Sequence, residues 1–169
     1  MRPATNDYSP AFAAYIALVP EDDVLSAIEQ QSSITQKLLS SLDETRAAFR
    51  YEDGKWSVKE VIGHMVDAER IMGYRALAIA RGDTQPLPGF EEDDYVRNAN
   101  FDSWRLGALS EAYALARRST IIFLQNLSEE AWDRRGTANG NPVTVRALAW
   151  VIVGHERHHL NVLRERYRL

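Results

Sequence analysis

Four stretches of the chain repeat apolar residues at the three- and four-residue steps of an α-helix, and this feature restricts the fold most. Asp22, Ser57 and Thr144 offer side-chain caps at the start of three of them. No segment alternates apolar and polar residues with the period of a β-strand. The pattern predicts an all-α protein, a four-helix bundle. The predicted helices cover residues 22–41, 57–81, 104–126 and 144–166.

The segments between these helices carry turn signals. Residues 83–100 contain prolines and an acidic run at 91–94, so we predict a long connection without a helix and an exposed acidic run. Residues 136–142 are rich in Gly and Asn and predict a loop. Short helical turns are expected at 43–49 and 128–132. The apolar stripes of the four helices, which predict the core, include Ile34, Leu77, Leu115 and Ile122.

Length and composition exclude several classes of protein. The 169 residues suit one domain, so residues 1–169 are assigned to a single bundle domain on which residues 1–20 pack as an N-terminal arm. A net charge of −4 argues against nucleic-acid coating, and no apolar run approaches the ~20 residues of a membrane span. The chain has no cysteine, which excludes a thiolate ligand or nucleophile and favours the reducing cytoplasm.

Three of the four histidines lie in a five-residue stretch, 155–159, of the last predicted helix. His155 and His159 are four residues apart, so they stand one turn apart on one face. At ~100° per residue this face coincides with the apolar face, whereas His158 lies about 60° from His155, at its edge. His64 lies between apolar residues of the second helix. The spacing therefore predicts that His64, His155 and His159 face the core and His158 faces solvent.

Inward histidines have two readings. They could be core residues satisfied by hydrogen bonds, and two imidazoles one turn apart are by themselves a weak signal. Desolvating three imidazoles is unfavourable unless each finds a partner, and one metal ion would serve all three. From the residues alone, both readings stay open.

A shared ion would also fix the topology. His64 lies ~10 Å from the start of helix two, and the midpoint of His155 and His159 lies ~13 Å from the end of helix four, at 1.5 Å per residue. The three share a level only if helices two and four are antiparallel. The predicted bundle therefore runs up-down-down-up, with a long crossover between helices two and three. Residues 83–100 are long enough to supply it.

Three motifs carry a resemblance to a known family. They are residues 55–70 (KWSVKEVIGHMVDAER), residues 86–90 (PLPGF) and residues 154–161 (GHERHHLN). With them, the chain from Tyr15 to Tyr167 resembles the DinB/YfiT-like proteins, four-helix bundles described as metal-dependent hydrolases. The resemblance implies a metal triad of His64, His155 and His159, outside which His158 lies. It also implies kinship with bacillithiol S-transferases and mycothiol-dependent maleylpyruvate isomerases, and a homodimer.

The expected function is that of a metal-dependent enzyme, a thiol S-transferase or hydrolase that activates a thiol or water on a three-histidine ion. Zn or Ni is favoured, with Fe or Mn next, since imidazole suits several divalent metals. The expected partner is a small electrophile or a thiol cosubstrate, with no nucleic acid or membrane. The alternative is a non-catalytic, stress-associated metal-binding bundle. The enzyme is favoured because closed structural zinc sites usually have four protein ligands.

Four further residues lie near the histidines in sequence. Glu60 and Asp67 could orient the free ring N–H of His64, although a solvated acidic face is an equal reading. Glu156 lies about 100° around the helix from His155, which favours a surface salt bridge over catalysis. Trp56 precedes the capping Ser57 and is expected to pack at the end of the bundle.

Overall fold

The computed structural model describes residues 1–169, and its four long helices confirm the predicted helical bundle. None of the helices combines the length and apolar character that a membrane crossing requires. In chain order the elements are α1 (Ala13–Ala17), α2 (Val24–Ser41), α3 (Glu44–Ala47), α4 (Val58–Ala80), α5 (Glu92–Ala99), α6 (Leu106–Gln125), α7 (Glu129–Asp133), β1 (Arg135–Ala138), β2 (Asn141–Thr144) and α8 (Val145–Tyr167).

Side-chain caps set the starts of three long helices. Asp23 Oδ1 accepts a hydrogen bond from a backbone N–H of the first turn of α2, and Thr144 Oγ1 does the same for α8. At α4 the Ser57 hydroxyl accepts from the Glu60 N–H at 3.1 Å. The Glu60 carboxylate accepts from the Ser57 N–H at 2.7 Å, which completes the predicted capping box.

Helices α4 and α6 run parallel. Near their starts, Lys59 Nζ donates to the Trp104 carbonyl at 2.7 Å. Further along both helices, Arg117 of α6 pairs with Glu69 of α4 at 2.9 Å. Two consecutive long helices can be parallel only if the chain returns along the bundle between them, so the predicted crossover is present.

Helix α8 runs antiparallel to α4, and α2 runs antiparallel to α6. Tyr167 at the end of α8 donates to the Trp56 carbonyl, just before α4, at 2.6 Å. Gln125 at the end of α6 donates to Glu29 near the start of α2 at 3.1 Å. These contacts give the order up-down-down-up and confirm the topology expected from the histidine levels.

The crossover contains a helix, so the prediction of a helix-free connection is wrong. Helix α5 carries three acidic residues in its first turn, where their negative charge interacts favourably with the helix dipole and stabilises the helix. Val96 is buried against the bundle, and Asn100 ends the helix in the left-handed conformation. The acidic run is exposed, as predicted. Packing of one buried residue and a favourable first turn therefore outweigh the turn signals of the preceding prolines.

The segment predicted as a loop at 136–142 is part of a β-hairpin. Strands β1 and β2 pair antiparallel around Asn139 and Gly140, which have φ values of 51° and 71°. Asn-Gly is the dipeptide that two-residue hairpin turns prefer, because both positions need positive φ. Leu87 of the crossover forms a bridge with Ala138, which joins the crossover to the hairpin.

The N-terminal arm packs on α8 through a glycine. Ile16 and Val19 are buried, and the Arg2 guanidinium donates to both of their carbonyls at 3.1 and 2.7 Å. A Cβ on Gly154 would lie 2.0 Å from the Tyr15 carbonyl oxygen, so only glycine permits this approach. The contact fixes the Tyr15 side chain over α8.

The core consists of two apolar clusters with polar side chains between them. Four residues of the predicted stripes lie outside it: Ile34, Leu77, Leu115 and Ile122 are 45%, 41%, 64% and 46% exposed. The prediction is wrong there because each predicted apolar stripe is wider than the face of the helix that is buried. On α6, for example, the exposed pair is seven residues apart and points about 180° away from the buried Leu124.

We predict that Gly154→Ala detaches the N-terminal arm. The added methyl group must displace the Tyr15 backbone, which should cost about 1–3 kcal/mol of unfolding free energy and expose the arm to proteolysis. Gly73→Ala is the matched control, since Gly73 lies mid-helix in α4 and its Cβ would meet only Thr120 Oγ1 at 3.9 Å. The control should gain up to ~1 kcal/mol. Equal stability of the two variants in urea denaturation would contradict the prediction.

Candidate metal centre

Two antiparallel helices bring three histidines together. His64 projects from α4, and His155 and His159 project from α8. His155 Nε2 lies 3.1 Å from His64 Nε2 and 3.1 Å from His159 Nε2. One nitrogen from each ring lies within 4.8 Å of the other two. The three histidines expected to face inward are thus one cluster.

The spacing of the nitrogens fits a shared ion. Two nitrogens bound at ~2.0–2.1 Å to a tetrahedral ion lie about 3.3 Å apart. The observed separation of 3.1 Å is close to this value. A hydrogen bond between neutral rings could account for either contact alone. Because the central nitrogen of His155 faces two rings and has one lone pair or one proton, it cannot suit both contacts as well as an ion would.

Burial keeps the cluster uncharged. His64 and His155 are 2% and 6% exposed, and His159 is half-buried. Desolvation is the main cause that lowers the pKa of His64 to about 4 and that of His155 to about 3. Desolvation, followed by repulsion from the other imidazoles, lowers the pKa of His159 to about 2. At neutral pH all three rings are in the neutral form that binds metals.

Aromatic rings surround the cluster. The Tyr15 ring lies edge-on to His155 at 5.4 Å, and the Trp56 ring lies 4.9 Å from His64. His158 is exposed, and its ring contacts Tyr15 at 5.8 Å and His159 at 5.0 Å. Sequence reasoning placed Trp56 only at the end of the bundle and missed Tyr15, because no helical spacing links either residue to the histidines.

The structure does not bring Glu60 or Asp67 to His64. The Glu60 carboxylate is bonded to the Ser57 N–H and to Arg50 at 2.5 Å. Asp67 pairs with Arg70 one turn along α4 at 3.2 Å. Each carboxylate is therefore bonded to groups other than the His64 imidazole, and neither is hydrogen-bonded to that ring.

Glu156 is buried, so the expected surface salt bridge is wrong. The residue is 2% exposed, and its Oε2 pairs with Arg117 of α6. Oε1 accepts hydrogen bonds from Tyr113 at 2.7 Å and from Thr35. The prediction failed because side chains of α2 and α6 cover this side of α8.

The same stretch of α8 contains a second sequence pattern that indicates a metal site. The order His155-Glu156-x-x-His159 fits the H-E-x-x-H pattern, in which two histidines bind zinc and the glutamate acts as general base. Both oxygens of Glu156 are occupied by donors from α2 and α6. The carboxylate is therefore not free to take a proton from a water at the histidines.

The fold and the cluster together define a class of protein. It is a four-helix bundle in which α4 and α6 are parallel and three histidines converge between the antiparallel helices α4 and α8. Comparison with known families agrees with this description. The profile of the DinB superfamily matches residues 27–163, and the chain belongs to that superfamily.

Individual relatives are distant. The chain is 23% identical over 141 residues to "Uncharacterized protein YjoA" of Bacillus subtilis, covering 82% of each chain. It is 22% identical over 151 residues to "Putative metal-dependent hydrolase OB0413" of Oceanobacillus iheyensis, covering 84% of this chain and 86% of that one. Of these two relatives, only OB0413 has a name that gives an activity, and that name states no substrate.

Two solved structures share the fold. Bacillus subtilis YfiT, described as "a probable metal-dependent hydrolase with an unusual four-helix bundle topology", superposes with a TM-score of 0.77 at 14% identity, over 89% of this chain and 91% of YfiT. The mycothiol-dependent maleylpyruvate isomerase superposes with a TM-score of 0.69 at 17% identity. That match covers 86% of this chain and only 61% of the isomerase.

We predict that the metal-free protein loses stability as the pH falls from 6.5 towards 4. Unfolded histidines take up protons near pH 6.5, whereas the folded cluster stays neutral to about pH 4 or below. The unfolded state therefore binds more protons in this window, and each histidine contributes a limiting slope of about 1.4 kcal/mol per pH unit. Urea denaturation in the presence of a chelator measures the slope. His155→Asn should have a shallower slope, and an unchanged slope would refute the prediction.

Proposed function

We propose that the chain is a metal-dependent enzyme in which His64, His155 and His159 bind one divalent ion, Zn or Ni first and Fe or Mn next. The observation that carries the proposal is the convergence of three neutral imidazoles, in which the Nε2 atom of His155 lies 3.1 Å from the Nε2 atoms of His64 and of His159. Three imidazoles and no carboxylate or thiolate form a neutral donor set with coordination positions left open for exogenous ligands.

The residues around the cluster suit chemistry on a small molecule. A divalent ion with open positions acts as a Lewis acid and makes a thiol or a water nucleophilic at neutral pH. The rings of Trp56 and Tyr15 lie beside His64 and His155 and give the cluster an apolar border on these two sides. His158 lies at the exposed edge of the cluster, beside His159. These side chains shape the space next to the histidines, and the histidines hold the ion.

Thiol transfer is our first choice of reaction and hydrolysis the second. In thiol transfer the S–H proton is lost, sulfur forms a bond to an electrophilic carbon, and the leaving group departs with its electron pair. The shared fold of a mycothiol-dependent isomerase supports a thiol cosubstrate. The name of the Oceanobacillus iheyensis relative OB0413 supports hydrolysis. A cytoplasmic location suits the first choice, because thiols stay reduced there.

A homodimer is the proposed assembly. Three exposed apolar side chains of the neighbouring helices α4 and α6 line one groove on the surface of the single chain. Isolated exposed apolar residues are common, but a cluster of this kind is typical of an interface. The three residues are Tyr74, Leu77 and Leu115.

We predict that His64→Ala, His155→Ala and His159→Ala each abolish stoichiometric binding of a divalent metal. Each change removes one of three ligands, whereas His158→Ala removes a ring outside the cluster and should keep the metal. Elemental analysis of the purified variants, with circular dichroism to verify folding, gives the answer. Loss of metal in His158→Ala equal to that in His155→Ala would refute the assignment.

We also predict that catalysis requires the metal. Metal-loaded protein should transfer a thiol to a small electrophile, or hydrolyse an ester or amide, and chelated protein should not. His155→Ala carried through the same assays sets the background. Turnover by loaded protein no faster than this background, for all of these substrates, would replace the enzyme with the non-catalytic metal-binding protein.

A further inference from the structure

A layer of buried polar side chains crosses the bundle beside the histidines, with at least one member on each long helix. Arg117 lies at its centre and is 2% exposed. The carboxylates of the layer are nearly as buried, at 5% and 2% exposed. Its members are Thr35 of α2, Glu69 of α4, Tyr113 and Arg117 of α6, and Glu156 of α8.

Arg117 joins the two helices that carry the histidines. Its Nη2 pairs with Glu69 Oε2 of α4 at 2.9 Å and also with Glu156 Oε2 of α8. Its Nε donates to Glu69 Oε2 at 3.2 Å. A planar guanidinium offers several donors in fixed directions, so one side chain can set the separation of two carboxylates.

The layer and the cluster are mechanically connected. Glu156 directly follows His155 on α8, and Glu69 lies five residues after His64 on α4, about 7.5 Å along the axis. A cavity of about 10 Å³ is lined by His155 together with Glu69, Glu156 and Arg117. We therefore expect a change in the spacing of α4 and α8 at the layer to alter the 3.1 Å spacing of His64 and His155.

Stability alone gives little reason for such a layer. It places two carboxylates and one guanidinium out of water, and Glu69 Oε1 and Arg117 Nη1 have no hydrogen-bond partner in the protein. Burial raises the pKa of Glu69, against the opposing effect of Arg117. Buried ion pairs are often no more stabilising than apolar residues of the same volume, whereas they do impose a defined geometry.

We propose that the layer formed by Glu69, Arg117 and Glu156 positions the metal ligands, with Arg117 holding α4 and α8 at the separation at which His64 and His155 converge. The proposal rests on the metal site proposed above. Glu69 and Glu156 are positioning residues that act through the helices, and neither contacts the ion. In this role Glu156 differs from the general base of H-E-x-x-H enzymes.

The test is titration with Co²⁺, whose visible absorption band reports coordination geometry. Glu69→Ala removes the anchor on α4 and leaves one cation facing one anion. We expect ten- to hundredfold weaker Co²⁺ affinity and a changed band, the range found when partners that orient metal ligands are removed. Glu69→Gln keeps an acceptor for Arg117 and should restore affinity to within about threefold of wild type and the wild-type band.

Ile79→Ala is the matched control, because it truncates another buried side chain of α4 far from the layer. It should lose stability and keep the Co²⁺ affinity and band. Wild-type affinity and band in folded Glu69→Ala, or equal losses in both Ala variants, overturn the positioning role. If Glu69→Ala does not fold, Arg117→Lys decides, since an ammonium keeps the positive charge but lacks the planar set of donors that reaches both carboxylates. An unchanged affinity and band there also overturn the role.

The two proposals fail in different ways. A wild-type chain that binds no Co²⁺ refutes the metal site, and the positioning role with it. Wild-type binding that depends on the three histidines but not on Glu69 refutes the positioning role alone.

Discussion

Helices α4 and α8 pack against each other at the level of the three histidines, and the rest of the fold is arranged around that contact. His64 and His155 lie 3.1 Å apart there, and the Tyr167–Trp56 hydrogen bond holds the far end of α8 to the start of α4. Helix α8 runs antiparallel to α4 and also antiparallel to α6, which precedes it in the chain. Helix α6 must therefore run parallel to α4. The long crossover and its helix α5 are the direct consequence. A bundle with short connections throughout could not place the same residues at the same level.

The contact between α4 and α8 carries an energetic cost that the apolar core must offset. Three neutral imidazoles and an ion-pair layer occupy the middle of the bundle, where continuous apolar packing would be more favourable. Apolar clusters of 25 and 14 buried residues lie on the two sides of this polar region. The division explains how a polar centre is tolerated: each cluster packs without it, and Arg117 gives the buried carboxylates a shared counter-charge.

Sequence reasoning succeeded where a single helix determines the answer. The rise per residue and the capping box located His64 and predicted the topology, and helical phase placed His155 and His159 inward and His158 outward. It failed where another element decides. Glu156 was assigned to the surface because the helices that cover it, α2 and α6, are distant in sequence. Helix α5 and the hairpin were missed for a different reason, since acidic first turns and Asn-Gly are local signals that the prolines and glycines nearby obscured.

The meaning of the stretch from His155 to His159 depends on which helix faces each side chain. On an isolated helix, Glu156 would be free to act as a base beside two metal ligands, as the H-E-x-x-H pattern suggests. In this bundle, α6 presents Arg117 and Tyr113 to Glu156, and α4 presents His64 to the two histidines. The third ligand of the proposed metal site thus comes from the neighbouring helix, and the glutamate is held in the buried polar layer instead. A base for hydrolysis must then come from elsewhere, which is a reason to prefer a thiol, whose proton is lost more readily than that of water.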